Sequence, residues 1–184
     1  MQEEVIFAGF GGQGVLFAGQ LLAYAAMHEG KHVTWIPSYG PEMRGGTANC
    51  TVVVSDDPIG SPIVQHPGVA VVFNNPSMLK YEGLVKPGGL LVVNSSLVTA
   101  TTDRDDITVL NIPATDTANE LGESRLTNMI LSGAMLAVRP MVSIDTLIET
   151  ITAKLPQRKR HLLEINVKAI KKGVELAQQQ LTPA

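Results

Sequence analysis

A single cysteine, Cys50, stands in the 184 residues of this sequence. That excludes an internal disulfide, a zinc site built on several cysteines, and an iron–sulfur cluster held by this chain alone, since a cluster needs about four thiolates. Charge is scarce as well. Asp, Glu, Lys and Arg make up 17% of the residues, against a usual quarter. So apolar a surface suits a subunit that hides part of itself against partners, and it favours a homodimer when the chain is isolated. The net charge of −3 gives no global basic field for nucleic acid. No membrane span is expected either. Residues 5–28 lack Asp, Glu, Lys and Arg, but glycines interrupt the run, and the unbroken part from Val15 to Met27 falls short of roughly 30 Å of hydrocarbon. The acidic start Met1-Gln2-Glu3-Glu4 lacks the basic region of a signal peptide, so a cytoplasmic protein is expected. No G-x-S-x-G elbow occurs, and Ser124 has no evident base beside it, which argues against hydrolase chemistry.

What is present reads as one globular domain over 1–184, with an ordinary 45% of hydrophobic residues. Val5–Ala8 is a continuous apolar run stopped by glycine, hence a short buried strand. Val15–His28 is Ala- and Leu-rich and apolar on almost every side, so it should be a helix sandwiched between a sheet and another layer. His32–Ile36 is the next strand. Strand, glycine turn, helix and strand open a doubly wound α/β fold. The rule then breaks, because Thr47–Ser55 follows with no crossover helix. It should run antiparallel to its neighbour in a mixed, mostly parallel sheet. Further strands are expected at Val69–Asn74, Leu90–Asn94 and Ile107–Ile112, with a short helix over residues 76–84. Ser143 should cap a helix running to about Ala153, and Leu163, Val167, Ile170, Val174 and Ala177 should form the apolar stripe of the last helix. The expected architecture is a three-layer α/β/α, Rossmann-like domain.

Two segments carry the chemistry. Gly9-Phe10-Gly11-Gly12-Gln13-Gly14 fits G-x-G-x-x-G between a strand and a helix. Glycines there permit a tight turn and bring backbone N–H groups to a ligand at the positive end of the helix, so an anion is the natural guest. The same glycines would also serve close packing of helix on strand. A dinucleotide site needs a carboxylate at the end of the second strand. That strand ends Trp35-Ile36-Pro37-Ser38, with no acid, and Glu29 falls before it. A stand-alone dinucleotide-binding oxidoreductase is therefore the alternative reading, with the missing carboxylate against it. The second segment, residues 37–47, is a long Pro- and Gly-rich loop leaving the carboxyl end of the second strand, where doubly wound folds place ligands. Its plainest reading is a rigid surface loop with Arg44 paired to Glu42.

GFGGQGVLFAGQLLAYAA (residues 9–26), PSYGPEMRGGTANCTVVVS (residues 37–55) and the Ser61-Pro62 turn, in this order, resemble the gamma subunit of 2-oxoacid:ferredoxin oxidoreductases of the pyruvate, ketoisovalerate and 2-oxoglutarate types. The wording SYGPEMRGGTANC is similar to the 2-oxoglutarate branch. The resemblance implies a required but noncatalytic part of a larger enzyme. That holoenzyme decarboxylates a 2-oxoacid on thiamine diphosphate held between alpha and beta chains. It passes electrons to ferredoxin through iron–sulfur clusters on beta or delta chains, and hands the acyl group to coenzyme A. Carried over by position, the contact residues toward coenzyme A are Gly9, Gly11, Gly12, Gln13 and Gly14 in the turn. In the second loop they are Ser38, Tyr39, Arg44, Gly45, Gly46 and Thr47. Arg44 presents a planar fork that suits a phosphate or a partner carboxylate.

Other residues carry weaker signals. His28 and His32 stand four apart, but Gly30 ends the helix between them and no third metal ligand is evident. Cys50 reads as a small core residue. Seven of the 14 Lys and Arg residues fall between Lys154 and Lys172. Such a cluster is usually a solvated helix face; docking to an acidic subunit or attraction of coenzyme A phosphates are the functional alternatives.

Overall fold

The computed structural model describes residues 1–39 and 46–181. Six strands form one sheet: β1 (Gln2–Phe10), β2 (His32–Tyr39), β3 (Thr47–Ser55), β4 (Val69–Val72), β5 (Leu90–Asn94) and β6 (Thr108–Ile112). Their order across the sheet is β2-β3-β1-β4-β5-β6. β1, β4, β5 and β6 are mutually parallel, and β3 is antiparallel to both its neighbours. The mixed sheet expected from the missing crossover is thus present, with one difference. β3 lies between β1 and β2, so the first crossover skips a place in the sheet. All nine residues of β3 pair with β1, from Gln2 with Ser55 to Phe10 with Thr47, which sets the start of β3 beside the glycine turn.

Side chains alternate between two unequal layers. Val5, Phe7, Cys50, Val52, Val71, Val92 and Leu110 face the thick layer of α1 (Val15–His28), α3 (Ala114–Glu120), α4 (Thr127–Val138), α5 (Ile144–Lys154) and α6 (Leu163–Leu181). Ile6, Ala8, Ala70, Val72, Leu91 and Val93 face a thin layer built on Met78 and Tyr81 of α2 (Asn75–Tyr81), with Val85 and Val98. The Asn74 side chain caps α2 by accepting from the Ser77 amide at 2.9 Å, and a 3-10 turn over Glu82–Leu84 completes the segment expected as one helix. Ser143 caps α5 as its sequence indicates, accepting from the Thr146 amide at 3.0 Å.

α4 is the centre of the thick layer, with ten of its twelve residues buried. α6 lies against it through Gly133 and Gly173. A Cβ on either glycine would run into the facing helix's backbone, at Ile170 and Ile130 respectively. This contact centres the buried face of the last helix on Gly173, so the expected stripe is buried only at Ile170 and Ala177. Ala169, Ile170, Gly173 and Ala177 are the buried positions, while Leu163, Val167 and Val174 are only half-buried. Glycine scores as no hydrophobe, yet here it allows the closest approach. Near the end of α6, the Gln180 amide bonds both backbone groups of Asn111 on β6, with Asn111 N–H donating to Oε1 at 3.0 Å and Nε2 donating back to the Asn111 carbonyl.

Candidate functional site

β1, β4 and β5 end together on one edge of the sheet, with α1 leaving β1 into the thick layer and α2 leaving β4 into the thin one. Ligand crevices of open α/β sheets lie at such a divergence. The first turn out of β1 needs its glycines. A Cβ on Gly9 would come within 2.6 Å of Gln13 Oε1 and 2.8 Å of Phe73 Cβ, and Gly12 and Gly14 have φ of +97° and +76°. Gly14 is the N-cap of α1, with no side-chain cap and no acid in the first turn. The first amides of α1, and the positive end of its dipole, are therefore left to water or a ligand.

Amides and hydroxyls hold this turn in place. Gln13 Oε1 accepts from the Phe10 amide at 2.7 Å and from Asn74 Nδ2 at 3.4 Å. Asn128 Nδ2 donates to the Gly14 carbonyl at 3.1 Å. Beside them, Asn94 Nδ2 donates to Thr115 Oγ1 at 2.9 Å and to the Phe73 carbonyl at 3.3 Å. None of these side chains titrates near neutral pH, so the network fixes the shape of the turn and offers no group for proton transfer. The Gly11 amide donates to the Gly46 carbonyl at 2.9 Å, which fastens the end of the second loop to the glycine turn.

Cavities surround the turn. One of about 420 Å³ is lined by Gly12, Gly14 and Phe17 on one side and by Lys154, Leu155, Lys159, Leu162 and Asn166 on the other, with Arg125 and Asn128 also at its wall. A second, of about 270 Å³, shares Gly12, Gly14 and Phe17 and reaches Ala48 at the start of β3. A third, of about 170 Å³, runs from Gly12 and Gln13 past Arg125 to Thr115, Ser124 and Thr127. Lys154 Nζ sits 3.7 Å from the centroid of the Tyr24 ring. Arg125 is well exposed, with Nε 3.5 Å from Glu123 Oε1.

The residues expected to act together are therefore partly assembled. Gly9, Gly11, Gly12, Gln13 and Gly14 form the turn, and Gly46 and Thr47 adjoin it. Ser38 lies on β2 with β3 between it and the turn, and the Tyr39 backbone pairs with Ala48. Arg44 and Gly45, and with them the Arg44–Glu42 pairing, lie outside the described residues. Sequence reasoning missed Phe17, Arg125 and Asn128. Asn128 did leave a signal, as a polar residue at the head of an otherwise apolar run. The basic cluster divides. Lys168 and Lys172 pair with Glu164 and Glu175, each at 2.9 Å, on the exposed face of α6, whereas Lys154 and Lys159 turn to the cavity.

The remaining candidates are engaged elsewhere. Cys50 is buried in β3 and donates to the Val15 carbonyl at 3.6 Å; burial pushes its thiol up to about 12, as fits a core residue. Glu29 Oε1 accepts from the Ser143 amide at 2.8 Å, far from a ribose-binding position. His28 lies 3.9 Å from Glu149, and among the described residues no three His, Cys, Asp or Glu side chains gather as a metal site would need.

The family profile for pyruvate ferredoxin/flavodoxin oxidoreductase matches residues 4–176. The chain belongs to this family. Within it, the chain is similar to ketoisovalerate oxidoreductase subunit VorA of Methanothermobacter marburgensis, 38% identical over 181 residues that cover 97% of this chain and 37% of that protein. It is 37% identical over 183 residues to 2-oxoglutarate synthase subunit KorC of the same organism, covering 96% of this chain and 97% of that one. It thus spans just over a third of the first relative and nearly all of the second. Two near-equal identities do not select a substrate. Among solved structures, the gamma subunit of a keto/oxoacid ferredoxin oxidoreductase from Geobacter sulfurreducens has a TM-score of 0.85 at 30% identity, with 97% of this chain and 98% of that chain covered. A 2-oxoglutarate:ferredoxin oxidoreductase from Magnetococcus marinus with 2-oxoglutarate, coenzyme A and succinyl-CoA bound has a TM-score of 0.88 at 26% identity. That match covers 100% of this chain and 32% of the other. No helix among the described residues is long and apolar enough to cross a membrane.

Proposed function

We propose that this chain is the gamma subunit of a thiamine-diphosphate-dependent 2-oxoacid:ferredoxin oxidoreductase, acting as a single gamma-type domain. In that role it assembles with alpha and beta chains, and with a delta chain where one exists. The complex converts a 2-oxoacid, of which 2-oxoglutarate is the first choice, and coenzyme A to acyl-CoA, CO2 and reduced ferredoxin. The observation that carries the reading is the full-length likeness both to separate subunits and to about a third of a longer oxidoreductase chain.

The residues present fit some of the implied groups and not others. One buried cysteine does not fit an iron–sulfur cluster, which needs about four thiolates. The open amino end of α1, the glycine turn and the nearby lysines do fit the phosphates of coenzyme A, which would supply the acyl-accepting thiol. This chain's own contribution is then to bind and orient. The amides of the turn face the anion, and Gln13, Asn74 and Asn128 keep those amides in position. Gly46, bonded to Gly11, sets the start of β3 beside the same turn.

The test is a tagged pull-down from native extract under anaerobic conditions, followed by an oxoacid assay with coenzyme A and a viologen acceptor. Recovery with thiamine-binding and cluster-bearing chains and with 2-oxoglutarate-dependent reduction supports both the subunit role and the substrate. Activity with ketoisovalerate or pyruvate alone replaces the substrate. Recovery of this chain by itself, with no oxoacid activity, overturns the reading.

A further inference from the structure

β2 is an outer strand of the sheet, and no described strand pairs with its free side. Natural proteins blunt such a strand with lysines, other charges or bulges. β2 reads HVTWIPSY, without Asp, Glu, Lys or Arg, and its Ile36 is 42% exposed.

The register shows which of its backbone groups are unused. The Gly11 amide donates to the Gly46 carbonyl and the Asp56 amide to the Met1 carbonyl, in line with the pairing of Gln2 and Ser55. Bonded pairs alternate along an antiparallel ladder, so the even-numbered residues of β3 bond β1 and the odd-numbered ones bond β2. Val53 and Thr51 stand opposite Thr34 and Ile36. Thr34 and Ile36 therefore spend their amides and carbonyls on β3, while Val33, Trp35, Pro37 and Tyr39 turn theirs outward. Pro37, with no amide to donate, stands where the sheet itself needs none.

A second copy of the chain answers this pattern. A two-fold axis beside Ile36, perpendicular to the sheet, pairs Val33 with Tyr39 of the second copy and Trp35 with Pro37 of the second copy. Each outward amide of Val33, Trp35 and Tyr39 then meets a carbonyl, and only the Trp35 carbonyl, opposite Pro37, is left to water. Ile36 falls in the close, non-bonded kind of pair with its own copy, which covers its exposed side chain. An axis beside Trp35 would carry the Tyr39 amide past the start of the facing strand. With no Asp, Glu, Lys or Arg on either strand, like charges do not oppose the pairing. α1 widens the surface. Its Gly19 rests on Trp35 and Cys50, and α4 lies toward β5 and β6. The flank of α1 turned from α4 carries Gln20 and Met27, the latter 60% exposed, and the same axis brings that flank to face its copy. We infer that two copies of this chain join by antiparallel pairing of their β2 strands, centred on Ile36, into one continuous sheet. The inference does not depend on the function proposed above.

Sedimentation equilibrium of the 184-residue chain tests this. A dimer is expected. I36K, which sets two ammonium groups together at the axis, should weaken it at least tenfold, and M27E should weaken it several-fold. L79K, on an exposed residue of α2, should weaken it less than twofold. Mild oxidation should link two copies of I36C and none of L79C, with the buried Cys50 taking no part. This link reads the register without relying on the lysine variant. A dimer with that pattern supports the inference. A monomer at every concentration, a dimer indifferent to I36K, or a dimer in which I36C does not link overturns it. So does a monomeric chain whose I36K variant is lost from the purified complex, since the strand would then serve another chain.

Discussion

Asn128 donates through Nδ2 to the carbonyl oxygen of Gly14 at 3.1 Å, tying the head of α4 to the start of α1 across 114 residues. Its Oδ1 accepts from the Met129 amide at 2.9 Å, so both ends of this buried side chain are used. Asn128→Ala removes both bonds beneath the glycine turn. A loss of about 1–3 kcal/mol is expected from an unmade buried hydrogen bond. In a chain of this size that lowers the melting temperature by roughly 2–4 °C per kcal/mol. Differential scanning calorimetry checks it, and an unchanged transition would show that the turn does not depend on this tie.

Gly173→Ala inverts a familiar rule. In an open helix Gly→Ala stabilises by roughly 1 kcal/mol, but here the new methyl meets the Ile130 backbone of α4. Overpacking typically costs about 1–3 kcal/mol. Gly173→Ala and Gly133→Ala should therefore both unfold at lower denaturant than the parent. Gly83→Ala, where the added carbon meets nothing within 4 Å, should not. Urea melts of the three variants decide it.

Cys50 should be silent toward thiol reagents in the folded protein. Its thiol is buried and pushed up to about 12, so almost no thiolate exists at neutral pH. A colorimetric thiol assay is expected to find none in the native chain and one per chain in denaturant, as the sequence holds a single cysteine. Rapid native labelling would place Cys50 outside the core.

Glu29 gives stability a defined pH dependence. Burial disfavours its charge, but the Ser143 amide and the Thr146 and Ser143 hydroxyls outweigh that and hold it below the usual range. A carboxyl with a lower pKa folded than unfolded stabilises fully above its unfolded value, about 4.3, and loses that contribution as pH falls through the folded value. The stability gap between parent and Glu29→Gln should be constant above about pH 5 and narrow in more acid solution. Denaturant titrations across that range measure it; a gap that does not narrow would assign the effect to packing.

The strands were legible because their apolar runs are bounded by Gly, Pro and Asn, and β3 announced its direction by lacking a crossover helix. The place of β3 between β1 and β2 was not legible. A strand pairing with two others carries no mark of which partner stands on which side. The glycine turn was read from local spacing, since φ above zero at Gly12 and Gly14 is a local demand. The cavity beside it was not, because Phe17, Arg125, Lys154 and Lys159 meet only when α1, the 3-10 turn before α4, the end of α5 and the α5–α6 connection pack together. The stripe on α6 was legible in part, since Ile170 and Ala177 are buried as expected, but hydrophobic periodicity gives weight to Val167 and Val174 and none to Gly173.

The Gln180 amide that mimics a neighbouring strand beside Asn111 makes the two sides of this sheet unequal. On the outer side of β6 Asn111 already has a partner in Gln180, while no described strand pairs with the outer side of β2. If two copies meet edge to edge along β2 they consume both of those open sides, and a third copy would have to pair with β6, where Gln180 already holds both backbone groups of Asn111.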